Sequence, residues 1–403
     1  MSYKIPHLVF VQTTIGPGTA FFPVAHTFTG FTFISTEGAA QVRMSHAGKW
    51  SNLKIYINNT GLGGRTLTLR VNGASTALSL TTLNTIGISE NTTDEVYVQA
   101  GDLVNLQLTG LGVTTNRVIS ISIDFEADGD RSILYLANMR RSTLSHTFNQ
   151  LFEICGDLDN FSTPAETIVQ SSLRHKCRLV NFHVNTELNT RTGSSTVVFR
   201  QNSVDAATVT VPASTTGRIN LDTSVSLEVD DLLNVNINLA GTGSIRFFMI
   251  QYTLESDNPR ELTIFGGRPG SQTATRSVAF APGVSNAQAN RSYVVHITKP
   301  MTVDRFKFRL SSNTQPNFSV LVRTSSNNNV FAFTELTCFT TTVPASTTGW
   351  FENNTDSFLL SNNRFIYAQF NFISGSYGLD SMSARLTLPE ELKIYQTVNH
   401  ATQ

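Results

Sequence analysis

The sequence is short of the residues on which covalent bracing and chemistry depend. Three cysteines, Cys155, Cys177 and Cys338, are odd in number and widely separated. With no CxxC pair, neither a zinc ribbon nor a disulfide framework is supported. Charged residues make up only 14% of the 403, and Lys plus Arg balances Asp plus Glu at 29 each, for a net charge of zero. The nearest approach to a basic cluster, Met139-Arg140-Arg141, is too short to track a phosphate backbone, so no nucleic-acid partner is expected. No stretch approaches the roughly 18 apolar residues of a membrane helix. The opening MSYKIPHLVFVQTTIG has no basic region followed by a long apolar run, so neither a membrane span nor a secretory leader is expected. These absences point to a protein made in a reducing cytoplasm.

Catalytic and metal-binding patterns are scarce as well. The histidines stand at 7, 26, 46, 146, 175, 183, 296 and 400, without an HExxH or a paired cluster. His26 and His146 occupy matching places of the repeat described below, but their counterpart is Val278, so a shared ligand role is not expected. Cys177 aligns with Trp50 and Met301, which predicts an apolar core slot and not a nucleophile. Phe265-Gly266-Gly267-Arg268-Pro269-Gly270 is glycine-rich, yet no helix follows to hold a phosphate, so it is a loop. Asp102 and Asp230-Asp231 offer the hard oxygens calcium needs, but without a DxDxD array they read as turn formers. Trp350-Phe351 suits either sugar stacking or packing at an interface. The resulting expectation is no catalytic residue, no cofactor and no metal.

What the sequence does have is neutral polarity and repetition. Ser, Thr and Asn crowd stretches such as LTTLNTIGISENTTDE and RTSSNNNV, a composition suited to the solvent face of strands. The 27 phenylalanines, set among regularly alternating apolar residues, exclude disorder. VPASTTG occurs at Val211–Gly217 and again at Val343–Gly349. NTIGISENTTDEVYVQAGD answers it in the first third, with Asp94, Asp222 and Asp356 in register, and Asp102, Asp231 and Asn363 at the next turn. HLVFV, SILYL and ELTIF each open a copy. A threefold repeat of about 130 residues predicts tandem domains over 1–129, 130–257 and 258–403, the last with a C-terminal tail, joined at Asp124–Ser132 and Leu254–Leu262. Sequons at Asn58, Asn91, Asn160, Asn290, Asn317 and Asn353 read as accidents of composition.

Strand patterns fill every copy. Leu53–Ile57, Leu67–Val71, Val96–Val98, Val104–Leu108 and Val118–Phe125 alternate in the first; Leu179–Val184, Thr208–Val211 and Leu233–Leu239 do so in the second. Helical periodicity is confined to a turn or two at Phe148–Ile154 and Pro389–Tyr395. The fold class is therefore all-β: three tandem jelly-roll-like β-sandwich domains, with the shorter immunoglobulin-like sandwich as the alternative.

VYVQAGDLVNLQL followed by VISISIDF resembles the closing half of a C1q/TNF-like jelly roll. Val96–Val98, the Gly101-Asp102 turn, Val104–Leu108 and Val118–Phe125 fill that family's places; the later copies depart, with Val229-Asp230-Asp231 and Ser361-Asn362-Asn363 at the turn. The resemblance implies units that associate as trimers, as in viral capsid, cement and fibre modules. Three fused copies would then close into an internal pseudo-trimer. The implied function is a non-enzymatic virion structural protein, a capsid decoration (cement) protein or head-fibre base. It would be made in the host cytoplasm, located on the capsid exterior, and partnered by the major capsid protein or other virion proteins. The alternative is a carbohydrate-binding receptor-recognition or tail-spike module with a glycan ligand; a surface adhesin ranks below it and an enzyme last.

Overall fold

Alternating apolar residues settle into six β-sheets in a computed structural model of the chain. The structure describes residues 4–389, apart from 16–17, 26, 29–33, 58–63, 83–86, 111–115, 130, 140–142, 146–149, 155, 158–165, 267–269, 273–275, 280–294, 298–299, 326–334 and 362–363. Sheet 1 has the order Thr27–Phe28, Lys4–Ile15, Asn116–Ala127, Gly48–Ile57 and Gly87–Asn91, with Val96–Val98 also on Gly48–Ile57. Sheet 2 runs Gly18–Pro23, Leu103–Gly110, Arg65–Val71 and Ala74–Thr81, with Val42–Arg43 also on Leu103–Gly110. In chain order the described strands pass back and forth between the sheets, except that the hairpin Arg65–Val71/Ala74–Thr81 stays within sheet 2 and the successive Gly87–Asn91 and Val96–Val98 both stay in sheet 1. With the first long strand paired antiparallel to the last, this is a jelly roll.

The same order recurs twice. Sheet 3 places Gly156–Asp157, Ile133–Met139, Ile245–Ser256, Cys177–Asn189 and Gly217–Leu227 side by side, and sheet 4 is built from Gln150–Phe152, Leu232–Asn238, Ser195–Gln201 and Val204–Val211. Sheet 5 contains Glu261–Gly266, Tyr377–Thr387, Met301–Asn313 and Gly349–Leu360, and here the short strand Gly270–Gln272 pairs antiparallel with Tyr377–Thr387; sheet 6 contains Arg276–Ala279, Arg364–Phe370, Phe318–Ser325 and Glu335–Val343. Ser171–Ser172 and Val295–Ile297 take, in sheets 4 and 6, the place of Val42–Arg43 in sheet 2. Among the described residues, strand pairing stays within 4–127, 133–256 and 261–387.

Turn chemistry explains why parts of the repeat are so alike. Asn72-Gly73 and Asn202-Ser203 have positive φ at both central positions, as a tight hairpin turn requires. Asn72 and Asn202 each donate Nδ2–H to an aspartate, Asp102 (2.7 Å) and Asp231 (2.6 Å). Asp102 and Asp231 in turn accept the Gln99 and Glu228 N–H groups, both at 2.7 Å, so both carboxylates close turns. The VPASTTG turn is held from the end of the neighbouring long strand. Asn189 donates to the Pro212 and Thr215 carbonyls, and Asn313 repeats this on Pro344 and Thr347. Ser214 and Ser346 both sit at φ 54. The sequons at Asn91 and Asn353 are also structural: each side chain accepts two N–H groups of its own turn and donates to Asp94 or Asp356.

Four expectations need correction. Phe148–Ile154 is not helical where described; Gln150–Phe152 is a strand pairing with Val235–Ile237, because tertiary pairing overrides weak local propensity. Trp50 is not the counterpart of Cys177 and Met301. Backbone bonds joining Met44 to Asp102 and Leu173 to Asp231 fix a register in which Gly48 matches Cys177, and Trp50 matches Leu179 and Val303. Asp222 lies opposite Asn181 on a strand, outside the turn that Asp94 and Asp356 share. The junction at Asp124–Ser132 is shorter than its charges suggested, since the strand continues to Ala127 with Asp124 accepting from Asn52 at 2.6 Å. His26, His146, Cys155, Asn58, Asn160, Asn290, Asn363, His400 and residues 390–403 lie outside the described residues.

One core fills the first sheet pair, with Trp50, Leu53, Ile55, Ile121, Ile123 and Phe125 facing Leu67, Leu69, Leu78, Val104, Leu106 and Leu108. It also takes in Ile133, Tyr135, Ala137 and Met139 from the next pair. The opposite face of that strand, Leu134 and Leu136, belongs to a second core running through the other two pairs. One strand therefore serves two cores. Residues 130–257 expressed alone should bare Ile133, Tyr135, Met139 and Met249 and aggregate, with dye-binding apolar surface. A monodisperse product with a sharp melt would refute this.

Candidate functional site

Among the described residues, the most extensively built features are the joints between sheet pairs. Residues preceding the long strands Gly48–Ile57 and Cys177–Asn189 reach the next pair in the same way. Ser45 and Arg174 are equivalent, each following the residue bonded to the aspartate turn. The Ser45 N–H donates to the Tyr135 hydroxyl at 3.3 Å, and the Arg174 N–H donates to the Thr263 hydroxyl at 3.0 Å. Tyr135 and Thr263 are themselves equivalent, lying opposite Thr253 and Arg385. Thus a loop of the first pair docks onto the first strand of the second, and a loop of the second onto the first strand of the third.

Specific side chains complete the first joint. His7 accepts the Tyr135 N–H at Nε2 (3.1 Å), so its proton sits on Nδ1, facing the Ile5 carbonyl at 3.1 Å. That ring packs edge-on against Trp50 with centroids 5.1 Å apart. Gln251 imitates a strand partner, accepting the Arg43 N–H at 2.9 Å and donating to the Arg43 carbonyl at 2.7 Å. The short helix Glu37–Ala40 lies against the strand Ile245–Ser256, with Asn185 donating to the Gly38 carbonyl at 3.1 Å and Arg218 to Gln41 at 2.7 Å. Arg70 pins this helix through Glu37 (2.6 Å), and Arg200 holds Glu166 in the second pair likewise (2.9 Å). Arg70→Ala is expected to loosen the helix and speed hydrogen exchange at 37–41, leaving the sheet amides protected. Equal exchange in both proteins would count against this pinning role.

The second joint centres on Arg174, whose side chain is only 1% exposed. Its guanidinium donates to the Arg305 carbonyl (2.7 Å), to Asn354 Oδ1 (2.6 Å) and to Asp230. Lys307, of the third pair, also reaches Asp230 at 2.8 Å. Asp230 holds φ 74 where Gly101 holds φ 96, so the second copy keeps a strained aspartate at a glycine position and uses it across the joint. Burial pushes the Asp230 carboxyl up, but Lys307 and Arg174 outweigh it and leave it below the usual range. His175 contacts the Thr263 hydroxyl at 2.7 Å, and burial, aided by Arg385, lowers its pKa to about 3. His183, on the sheet 3 face beneath the first pair, is lowered to about 4 by burial and by Arg218 and Arg43. Both rings are neutral at physiological pH.

A third joint links the first and third sheet pairs. Val295–Ile297 lies against both Lys4–Ile15 and Asn116–Ala127, and Ile5 belongs to the core of the second and third pairs.

No family model matches the chain, and no curated protein matches it either. Among solved structures it is similar to a chain from the triple jelly-roll fold and turret assembly of an archaeal virus, at 11% identity and a TM-score of 0.17 over 96% of this chain and 89% of that one. It is also similar to dimeric latent PorU from Porphyromonas gingivalis, at 10% identity and a TM-score of 0.23, over 85% of this chain and 32% of that one. The jelly-roll assignment rests on strand order and register.

The candidates read from sequence are mostly structural. Cys177 is buried in the core, where burial pushes its thiol up, away from a nucleophile. Cys338 packs at the core's margin. Asp102 and Asp231 close turns, and among the described residues no group of three His, Cys, Asp or Glu could hold a metal ion. Trp350 is half-buried with the Lys307 ammonium 5.3 Å from its ring, leaving less face for a sugar, and Phe351 stacks on Phe308. His7, Arg43, Tyr135, Arg174, His175 and Gln251 were missed. One signal was available: Ile133-Leu134-Tyr135-Leu136 is apolar on both faces, so both must be covered.

Proposed function

We propose that the chain is a non-enzymatic virion structural protein, a capsid decoration (cement) protein or head-fibre base. Its three jelly rolls, bounded near 129 and 257, are read as C1q/TNF-like units closed head-to-tail into an internal pseudo-trimer. The observation that carries this reading is the repeated joint: equivalent residues, Ser45 with Tyr135 and Arg174 with Thr263, meet in equivalent ways. The contact of Val295–Ile297 with the first pair supports closure. A heterologous contact repeated through a rotation that closes forms a ring. A balanced charge and a Ser/Thr/Asn-rich surface suit a subunit that works by burying area against neighbouring proteins, the major capsid protein foremost. The protein would be made in the host cytoplasm and sit on the capsid exterior.

Electron microscopy with light scattering on the purified chain tests the ring. A compact three-lobed particle with the 44.2 kDa mass of one chain is expected. An extended rod of three beads, or a trimer of whole chains, would refute the internal ring. Co-sedimentation with capsids tests the virion role. Failure there combined with specific glycan-array binding would replace it by a receptor-recognition module.

A further inference from the structure

The first joint gathers cations that the chain does not pair. Gln251, His183 and Asn220 form one row across sheet 3, on the face that meets the first pair. Arg43 crosses that row from above. Its backbone is fixed on the Gln251 side chain and its guanidinium reaches Asn220 Oδ1 at 3.4 Å, so the side chain passes over His183. Arg218 lies opposite Asn185, two residues along, and donates to Gln41 Oε1 at 2.7 Å and towards the Gly38 carbonyl at 3.4 Å. Among the described residues neither guanidinium bonds to a carboxylate. Asp222, two residues the other way, feels the Arg43 charge but accepts from Asn220 (2.9 Å) and Asn181 (2.8 Å). Arg218 is exposed, which leaves a way in from solvent.

His183 lies beneath both cations. It is 1% exposed, and neither ring nitrogen finds a partner in the chain. A neutral imidazole always carries one N–H, so a buried donor here stands without a protein acceptor, which native interiors rarely tolerate. The second joint shows what the first lacks. Counting from the shared VPASTTG glycines, Gly217 and Gly349, the matching row of sheet 5 is Ser383, Lys307 and Glu352. There Lys307 stands where His183 does, and the chain itself supplies the anions, Glu352 at 3.8 Å and Asp230 at 2.8 Å. In sheet 3 the Asn220 amide replaces the Glu352 carboxylate, so the first joint keeps cations without that acid. A water molecule would satisfy the imidazole alone. Two guanidinia beside a buried N–H call for negative charge, and an oxyanion accepts from all three at once.

We propose that Arg43, Arg218 and His183 bind a small tetrahedral oxyanion, phosphate or sulfate, at the first joint, where it takes the part that Glu352 plays in the second. The test is the melting temperature of the full chain in phosphate against chloride at equal ionic strength, for the unaltered protein, Arg218→Gln and Asn220→Glu. The first substitution removes an exposed cation, and the second installs on the row the carboxylate that sheet 5 has. About 20 mM phosphate should raise the melting temperature of the unaltered protein by roughly 2–3 °C, the shift that millimolar binding to the folded state alone produces, and neither variant should respond. Phosphate should also shift the ring NMR signals of His183, identified by their absence in His183→Leu, and the shift should saturate in the millimolar range. Equal melting of the unaltered protein in phosphate and chloride would overturn the proposal. So would a rise that either variant keeps in full, which marks general salting or binding elsewhere, or a rise that leaves the His183 signals in place.

Discussion

Arg174→Ala is expected to lower stability by about 2–4 kcal/mol and to split one unfolding transition into two. Three donors of a buried guanidinium cross or border the second joint, to the Arg305 carbonyl, Asn354 and Asp230. Truncation leaves a hole at the joint and an unpaired Arg305 carbonyl, and Asp230 keeps only Lys307 across it. Arg174→Lys keeps the charge without the planar fork and should recover only part of the loss. Asp230→Ala should cost less, because that carboxylate is half exposed. The two tryptophans report separately: Trp50 lies in the first core, and Trp350 in sheet 5 beside Lys307. Trp350 fluorescence should therefore change at lower denaturant than Trp50 fluorescence in Arg174→Ala, as single-tryptophan proteins would show. Coincident transitions at the wild-type midpoint would mean that this joint contributes little.

Stability should fall steeply as the pH drops from about 6.5 towards 4. His175 and His183 have pKa values of about 3 and about 4 in the folded protein, against an ordinary 6.5. Below 6.5 the unfolded chain takes up protons that the folded chain refuses, so the unfolded state gains; the loss levels off only below the folded values. Each pKa unit corresponds to about 1.4 kcal/mol, so the two rings together put several kcal/mol at stake by pH 4. The carboxylates held low, Glu95 by Lys4 and Lys49, Asp222 by Asn220 and Asn181 and Asp230 by its cations, add their own loss, but only below about pH 4.5. The interval from 6.5 to 4.5 thus belongs to the histidines. His183→Leu removes one of them, and its melting temperature should vary less with pH in that interval. Profiles parallel to the unaltered protein would exclude His183 as a source of the acid sensitivity.

Much of the fold was legible because strand periodicity is local. Runs such as Val104–Leu108 and Leu67–Val71 alternate with period two, so one face had to be buried whatever the neighbours were. The repeated turns were legible for a similar reason. Gly and Asp favour turns through their own backbone and side-chain chemistry, and Asp102 and Asp231, read as turn formers, each close one. Register between copies was less secure: Trp50 and Cys177 looked alike as large or apolar residues near a strand start, and only the backbone bonds at Met44 and Leu173 separated them.

The joints were not legible, and the reason is physical. Arg174 and His175 lie in SSLRHKCRL, where nothing local separates a buried arginine from a solvated one. Their burial depends on Thr263, Arg305 and Asn354, which are 88 to 180 residues away. His7 is likewise set by Tyr135, 128 residues on. Sequence alone determined an all-β chain of repeated, turn-closed strand patterns, because those depend on residues a few positions apart. Only the tertiary structure decided which faces meet, which histidines stay neutral and which strand serves two cores, because these depend on surfaces brought together from distant parts of the chain.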